Sequence, residues 1–319
     1  MLRLFLSFAV VVQIATATEP AEAYPYVAAS PIYLGKWTFG LLPLQDDAVE
    51  VPVFPDAYIV YGDDGKTIYG WVPGTTGIFK LNLATYKRTL VPGTEMLGWK
   101  GLPFAQFTVS ERHDLLVSFR RDFVEEKGCG LYSFSLSTGQ PREIRRETPC
   151  RTQLSDLALS PDGKSMLAVE RPGVAGGFQL DVVDLASGSI APISPKYEHA
   201  QWAPNGQWVA AEETIAERNP TASRLVLLDP INFKFRRSLG EAPHRPKFAW
   251  SPDSRFLLIP KPQVSCSLYF PDVSSLQTIE VTTGRKAIIG SSRCRFGGGS
   301  VGWISAEVYR AALRAKAAK

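Results

Sequence analysis

The chain alternates between short apolar segments and polar turns for most of its length. Segments such as Leu167 to Val169, Leu180 to Leu185 and Leu225 to Leu228 have the length of β-strands and are rich in Val and Leu. Runs of this kind, bounded by Pro, Asp and Gly, are typical of antiparallel strands joined by tight turns. The pattern predicts an all-β protein.

A turn motif recurs between the apolar segments. Its best copies are Ser160-Pro161-Asp162-Gly163, Ala203-Pro204-Asn205-Gly206 and Ser251-Pro252-Asp253-Ser254, and weaker copies begin at Gly62 and Ser110. In such a turn Pro fixes φ, Asp or Asn accepts hydrogen bonds from nearby backbone N–H groups, and Gly takes the left-handed conformation. Repeats of about 43 to 50 residues with four strands each are typical of a β-propeller.

The copies at 160–163 and 250–253 resemble the WD-like repeats of TolB-type propellers, which also occur in prolyl-oligopeptidase-like proteins. The resemblance covers roughly residues 55–305 and implies the fold, while it assigns no activity. We expect neither the separate N-terminal domain of TolB proteins nor the hydrolase domain of the oligopeptidases.

The repeats predict five complete blades of four antiparallel strands, at about 55–98, 104–150, 153–195, 197–242 and 245–295. A sixth blade is expected to close the ring by joining 300–313 to 31–54, because closure removes free strand edges. The Ala- and Lys-rich segment from Ala306 to Lys319 also has high helix propensity, so strand and helix remain alternatives there. The expected architecture is a six-bladed propeller over residues 24–319.

The first residues differ from the rest of the chain. Arg3 precedes an apolar run from Leu4 to Ala17, and small residues offer cleavage sites after Ala17 or Ala23. This arrangement predicts a signal peptide at 1–23, and no later segment reaches the roughly 18 consecutive apolar residues of a membrane span. The mature protein is therefore expected to be periplasmic or secreted and not membrane-spanning.

The four cysteines favour two disulfides in an exported protein. If the strands of each blade are lettered A to D from the centre outward, Cys129 and Cys150 fall in the B–C and D–A connections of the second blade. Cys266 and Cys294 fall in the same two connections of the fifth blade. We therefore predict the pairs Cys129–Cys150 and Cys266–Cys294, each contributing about 3 kcal/mol. No metal is expected, because the cysteines lack C-x-x-C spacing.

Catalytic motifs are weak in this sequence. Gly298-Gly299-Ser300-Val301-Gly302 matches a nucleophile elbow in form, but no His follows Ser300. The remaining candidates are interpreted as structural: His113, His199 and His244 as surface or loop residues, Asp63-Asp64 as turn residues, and Glu125-Glu126 and Glu212-Glu213 as solvated connections. We expect no catalytic residue and no cofactor.

The tryptophans divide into two groups. Trp202, Trp208, Trp250 and Trp303 recur with the blades, which predicts packing between neighbouring blades. Trp71 and Trp99 are instead placed near connections on the open face, where they are the better candidates for stacking on a ligand.

The net charge of the chain argues against one class of partner, nucleic acids. The 319 residues contain 35 Lys and Arg against 31 Asp and Glu, and the formal net charge is +4. Such a small excess argues against a nucleic-acid binder built on a basic face. The predicted partner is a protein of the cell envelope or a secreted protein.

Candidate binding residues are assigned to one rim of the propeller, where the B–C and D–A connections emerge. They are Arg120, Arg121, Arg171, Arg218 and Lys261. Loops on a rigid scaffold often hold binding residues, and this mixture of charged residues and Pro suits a protein surface. The leading hypothesis is an exported, non-catalytic interaction module. The alternative is a hydrolase or lactonase-like enzyme whose acids converge in the central funnel.

Overall fold

The computed structural model describes residues 26–33, 38–43, 51–55, 58–71, 76–85, 87–97, 106–122, 128–150, 153–170, 178–215, 223–242, 248–262, 273–296 and 301–317. The expected signal peptide at 1–23 lies outside this part of the chain. The described residues are almost all in antiparallel strands and the turns that join them.

Three strands come first: β1 (Tyr26–Tyr33), β2 (Thr38–Pro43) and β3 (Val51–Pro55). Blade 1 follows, with β4 (Tyr58–Tyr61), β5 (Thr67–Trp71), β6 (Ile78–Asn82) and β7 (Arg88–Leu90), and ends in a 3-10 turn at Thr94–Leu97. Blade 2 contains β8 (Gln106–Ser110), β9 (Leu115–Asp122), β10 (Gly128–Ser135) and β11 (Pro141–Glu147).

Blade 3 contains β12 (Leu154–Leu159), β13 (Ser165–Glu170), β14 (Gln179–Asp184) and β15 (Ile190–Ser194). Blade 4 contains β16 (Tyr197–Trp202), β17 (Val209–Thr214), β18 (Ser223–Leu228) and β19 (Phe235–Ala242). Blade 5 contains β20 (Ala249–Trp250), β21 (Phe256–Pro262), β22 (Val273–Glu280) and β23 (Lys286–Phe296), and β24 (Gly302–Ser305) and helix α1 (Ala306–Ala317) complete the described chain.

Blades 1 to 4 are separate four-stranded sheets, whereas blade 5 belongs to a sheet of eight strands. In this sheet β1 pairs with β24, with β2 and, through Ile32 and Phe296, with β23, and β2 pairs with β3. The expected sixth set of strands is therefore present as β24, β1, β2 and β3. It is hydrogen-bonded to blade 5, so that the described chain forms five sheets.

The chain is helical where the closing blade was expected to extend to residue 313. Strand β24 ends at Ser305, whose Oγ accepts a hydrogen bond from the backbone N–H of Glu307 at 3.3 Å. A Ser in this position caps a helix, and the Ala-rich sequence that follows has high helix propensity. Val308 and Tyr309 are buried, which fixes the helix against the sheet.

The turn motif forms the predicted A–B turns. In blade 3, Asp162 Oδ1 accepts hydrogen bonds from Ser160 Oγ at 2.6 Å and Lys164 N at 3.1 Å, while Gly163 has a φ of 68°. Blade 5 repeats this network around Ser251 and Asp253. Asp and Ser side chains replace backbone partners in such turns, and Gly takes the left-handed conformation without strain.

The core consists of apolar clusters between neighbouring blades. Strand β13 illustrates the principle, because Met166 and Ala168 pack in the cluster shared with blade 2, and Leu167 and Val169 in the cluster shared with blade 4. Alternate side chains of one strand point to opposite faces of its sheet. Trp250 is 7% and Trp303 6% exposed, which confirms the expected packing of these two tryptophans.

Candidate functional site

Each blade has two ends, which we call the turn face and the loop face. The turn face holds the A–B turns at 62–66, 111–114, 160–164, 203–208 and 251–255. The loop face is the opposite end of the blades, where β5, β9, β13, β17 and β21 end and β6, β10, β14, β18 and β22 begin; the residues 72–75, 123–127, 171–177, 216–222 and 263–272 that join these strands along the chain lie outside the described residues. The B–C connections are longer than the turns in several blades, and binding residues concentrate in such segments.

On the turn face, polar groups connect one blade to the next. Asp63 of blade 1 accepts hydrogen bonds from Ser110 Oγ at 3.1 Å, Glu111 N at 3.1 Å and Arg112 N at 3.4 Å. Asp64 holds its own turn through Lys66 N and Thr67 N at 2.7 and 2.9 Å. The interpretation of this pair as turn residues agrees with these contacts, and Asp63 additionally joins two blades.

The same kind of contact recurs around the ring. The exposed His113 has its Nε2 2.8 Å from the carbonyl of Pro161, and Asn205 N donates to Ser254 Oγ at 3.0 Å. Ser305 N donates to the carbonyl of Gly65 at 2.7 Å. These polar groups are occupied by internal hydrogen bonds.

Glu111 is a second acid on the turn face that connects blades 1 and 2. Its Oε1 accepts a hydrogen bond from Tyr69 Oη at 2.8 Å and lies 3.4 Å from Lys80 Nζ. Burial raises the pKa of Glu111, and burial together with the charge of Glu111 raises the pKa of Tyr69. A Cβ at Gly62 would lie 2.6 Å from Glu111 Oε2, so a larger residue there would displace the end of the Glu111 side chain. Glu111 thus contacts Tyr69 and Lys80, and these contacts connect blade 2 to blade 1.

Hydrogen bonds from the outer strands also connect neighbouring blades. Arg142 and Arg145 of β11 donate to the carbonyls of Leu185 and Gly188 in blade 3. Arg237 of β19 donates in the same way to the carbonyls of Val281 and Thr282 in blade 5, the latter at 2.8 Å.

On the loop face, the predicted disulfide between Cys129 and Cys150 is confirmed. It ties the start of β10 to the connection that leads from blade 2 to blade 3. The second predicted pair stays a prediction, because Cys266 and the side chain of Cys294 lie outside the described residues.

The structure describes the side chain of one predicted rim residue. Arg120 donates from Nη1 to the carbonyl of Met96 at 3.1 Å, which ties β9 to the end of blade 1. The backbones of Arg121 and Lys261 are paired with Cys129 and Ser275 inside strands, so these residues were wrongly assigned to connections. The second strands of blades 2 and 5, β9 and β21, extend beyond the apolar segments from which they were predicted. Arg171 and Arg218 lie outside the described part of the chain.

Two polar residues of the inner strands meet between blades 3 and 4. His199 Nδ1 of β16 lies 3.6 Å from Asp156 Oδ1 of β12, and Asp156 has a φ of 51° at a bulge. The His199 ring also packs edge-on against Phe248, with 4.9 Å between ring centroids. His199 Nε2 is buried and has no hydrogen-bond partner among the described residues. The assignment of His199 to the surface was therefore wrong.

Glu212 and Glu213 were also wrongly assigned, because β17 continues through Thr214. Glu212 is 0% exposed and lies opposite His199 in the ladder, while Glu213 contacts Arg224 Nε at 2.5 Å.

Trp71 is 2% exposed inside β5, so it cannot stack on a ligand. Trp99, His244 and Glu125-Glu126 lie outside the described residues.

A pair of carboxyl groups lies between blades 2 and 3 near the loop face. Asp181 of β14 is 1% exposed, and its neighbour Glu170 ends β13. Burial, followed by the charge of Glu170 and a hydrogen bond with it, raises the pKa of Asp181 to about 7. No motif marks this pair, because Asp181 lies within a strand segment rich in Val and Leu.

Cys129, Glu147 and Cys150 form the one group in the described part of the chain whose ligand atoms are close enough to hold a metal ion. Both sulfur atoms belong to the disulfide and are not thiolates, so this group does not fit a metal. Among the described residues, no helix is both long and apolar enough to cross a membrane.

Comparison with known proteins agrees with this geometry. No family model and no curated protein matches the sequence. TolB from Acinetobacter baumannii is similar in structure, with a TM-score of 0.64 and 14% identity over 88% of this chain and 66% of that one. This chain therefore spans just under two thirds of that TolB. The fold is that of a TolB-like β-propeller.

Two other solved structures share the propeller. A chain in the nidogen/laminin complex gives a TM-score of 0.60 at 8% identity, over 87% of this chain and 98% of that one. Oligogalacturonate lyase from Vibrio parahaemolyticus gives 0.54 at 11% identity, over 83% of this chain and 79% of that one. At these identities the likeness concerns the fold, which both binding proteins and enzymes use.

Proposed function

We propose that this TolB-like propeller is a non-catalytic module that binds a protein partner through its loop face. The observation that carries the proposal is the difference between the two faces. On the turn face, Asp63, Glu111 and His113 are engaged in contacts between blades. At the loop face the sequence has its longer connections between described strands, and the candidate binding residues are assigned there.

Two of the exposed apolar side chains lie at the loop face, while Ile231, 87% exposed, lies in a turn at the opposite end of blade 4. Met96 is 45% exposed in the connection that leaves blade 1, and Ile215 is 50% exposed where β17 ends. Arg120 holds the backbone of Met96 in place. Protein interfaces combine such apolar contacts with a polar border, and Arg and Met are enriched in them.

The structural relatives offer a further argument. One similar chain comes from a complex of nidogen with laminin, so a propeller of this shape occurs in a protein assembly. TolB-like proteins also make an envelope location reasonable for this chain. Disulfides such as Cys129–Cys150 form and persist mainly in oxidising compartments, which supports a periplasmic or secreted location.

The experiment that tests the proposal is in-cell cross-linking followed by mass spectrometry. A triple variant reverses three charges at the loop face: Arg121→Glu, Arg171→Glu and Lys261→Glu. Cross-links to a specific partner should be present in the wild type and lost in this variant, because rim charges steer association and border the contact.

The matched control reverses three exposed charges in turns at the opposite end of the blades: Arg112→Glu, Lys164→Glu and Lys234→Glu. It changes the net charge equally and should keep the partner. If both variants lose the partner equally, or neither loses it, the loop face is not the binding surface. Thermal unfolding of each variant establishes that it folds.

The second candidate function is an enzyme with its active site in the central funnel of the propeller, and the contact between Asp156 and His199 favours it. A carboxylate 3.6 Å from Nδ1 and an Nε2 without a partner among the described residues resemble part of a general-base arrangement, and because this Nε2 is buried it would act only on a substrate that reached it between the blades. The similarity to oligogalacturonate lyase is compatible with an enzyme on this fold. A screen of hydrolase and lyase substrates should show turnover that His199→Gln abolishes, whereas no turnover in the wild type removes this candidate.

A further inference from the structure

The turn between β18 and β19, at the turn face of blade 4, differs from the corresponding turns of the other blades. In blades 1 and 4 an acceptor at the start of this turn binds the backbone N–H two residues later, as Asn82 does for Ala84 and Asp229 for Ile231. Ile231 therefore corresponds to four small or polar residues, which are Ala84, Ser137, Ala186 and Thr282. Because Ile231 is 87% exposed, its side chain adds almost nothing to the core.

Phe233 is the second unusual residue of this turn. Its backbone N–H donates to the carbonyl of Asp229 at 2.9 Å, and in blades 2, 3 and 5 the corresponding bond is made by Gly139, Gly188 and Gly284. Phe233 shares the left-handed conformation of these glycines, with a φ of 56°, which bulky residues rarely adopt. Blade 4 thus keeps an aromatic ring where the backbone conformation favours glycine.

The outer strand of the preceding blade also differs beside this turn. Arg142 of blade 2 donates to the carbonyl of Leu185 in the turn of blade 3, and Arg237 of blade 4 does the same to Val281 in blade 5. The strand that would supply such an arginine to the turn of blade 4 is β15, whose sequence contains no charged residue.

Apolar side chains are found instead on both sides of this boundary between blades 3 and 4. Ile193 of β15 and Phe233 pack against the same buried cluster. Phe235 is 48% exposed and lies opposite Leu228, a member of that cluster, so it faces blade 3 as well. We call Ile193, Ile231, Phe233 and Phe235 the blade 4 corner.

The charges that border the blade 4 corner are positive on their exposed side. The guanidinium of Arg224 lies 5.6 Å from the centroid of the Phe235 ring. Arg224 is paired with Glu213, and Arg236 with Asp229, but the arginine side chains are 39% and 52% exposed and the acids only 14% and 16%. The cations therefore face solvent while the acids lie beneath them. Such a border is complementary to acidic side chains on a partner.

We propose that the blade 4 corner is a second docking surface, which binds an apolar segment of a partner protein flanked by Asp or Glu. Lys234, exposed in the same turn, adds a further positive charge. Exposed apolar residues that lie together within a polar border are typical of protein interaction sites, where apolar and aromatic anchors supply most of the binding energy. The surface lies at the opposite end of blade 4 from the loop face, so the inference does not depend on the proposed function.

Peptide selection by phage display against the full chain tests the proposal with a defined probe. The enriched sequences should combine apolar residues with Asp or Glu. A labelled peptide of the enriched sequence, measured by fluorescence polarisation, should bind Ile231→Ala about tenfold more weakly than the wild type, because an anchor in the contact is lost. This substitution copies Ala84 and Ala186 of blades 1 and 3, and it should leave the melting temperature unchanged because Ile231 is exposed.

Charge and position are tested with the same peptide. Lys234→Glu should weaken binding about threefold, and added salt should weaken binding to the wild type, because the border attracts acidic residues. Ile288→Ala is the matched control, since Ile288 is 57% exposed on the outer strand of blade 5, and it should keep the wild-type affinity. The triple variant of the loop face should also keep it, which separates this result from the test of the proposed function.

The proposal is overturned if no peptide is enriched, if the enriched peptides lack acidic residues, or if Ile231→Ala and the wild type bind them equally. Two other occupants of the blade 4 corner would also overturn it. The first is a lipid surface, shown if vesicles of phosphatidylglycerol and phosphatidylethanolamine bind the wild type but not Ile231→Ala. The second is another copy of this chain, shown if sedimentation detects a wild-type dimer that Ile231→Ala dissociates.

Discussion

Removing the Cys129–Cys150 disulfide should destabilise the propeller by an amount that the loop length sets. The two cysteines are 21 residues apart, and closing a loop of this size lowers the entropy of the unfolded chain by an equivalent of about 3 kcal/mol. The perturbation is the double variant Cys129→Ala and Cys150→Ala. Because Cys129 is 7% exposed, replacing both residues avoids a buried free thiol.

The assay is urea unfolding followed by tryptophan fluorescence, with the oxidised wild type as reference. We expect the free energy of unfolding to fall by about 3 kcal/mol, and the melting temperature by about 6 °C. The m-value should rise, because the unfolded chain expands without its cross-link. An unchanged midpoint would refute the reasoning, as would an equal loss after mutation of a non-bonded, similarly buried residue such as Ala168→Gly.

Three further predictions concern single side chains. Asp63→Asn should lower the free energy of unfolding by about 1 to 2 kcal/mol in urea, because a weaker acceptor then receives the hydrogen bonds from blade 2; an unchanged midpoint contradicts this. Leu167→Ala should cost about 3 kcal/mol in the same assay, since Leu167 is 0% exposed between blades 3 and 4. Asp229→Asn should reduce the loss of stability on acidification from pH 4 to 2, measured by thermal melts, because the hydrogen bond from Arg236 lowers the pKa of Asp229 from 3.8 to about 2. That stabilisation is present above the ordinary value and is lost as the pH falls through the folded one.

The sequence was sufficient for features that depend on local turn chemistry. Asp162 and Gly163 act within a few residues of each other, so the spacing of their motif revealed the blades. The Cys129–Cys150 pair followed from the order of connections within one blade. Helix α1 was left open because propensity and ring closure gave opposite expectations, and capping by Ser305 supports the helix.

The sequence was insufficient to predict contacts between residues of different blades. Glu212 was interpreted as solvated because an acid usually lies at the surface, yet its strand continues into the interior beside His199. Asp181 carries no motif, and its environment is created by Glu170 and the apolar side of blade 2. Such seams depend on the orientation of whole sheets, which local patterns do not report.

The pairing of β1 with β24 has a consequence for how the protein is made. Tyr26 lies opposite Ser305, so the contact that closes the ring joins strands from opposite ends of the described chain. Contacts of such high sequence separation form late, because closing a long loop costs entropy before any contact offsets it. During synthesis the edge of β1 therefore stays without β24 until the last strand is made, and an unpaired strand edge of this kind favours pairing with other chains.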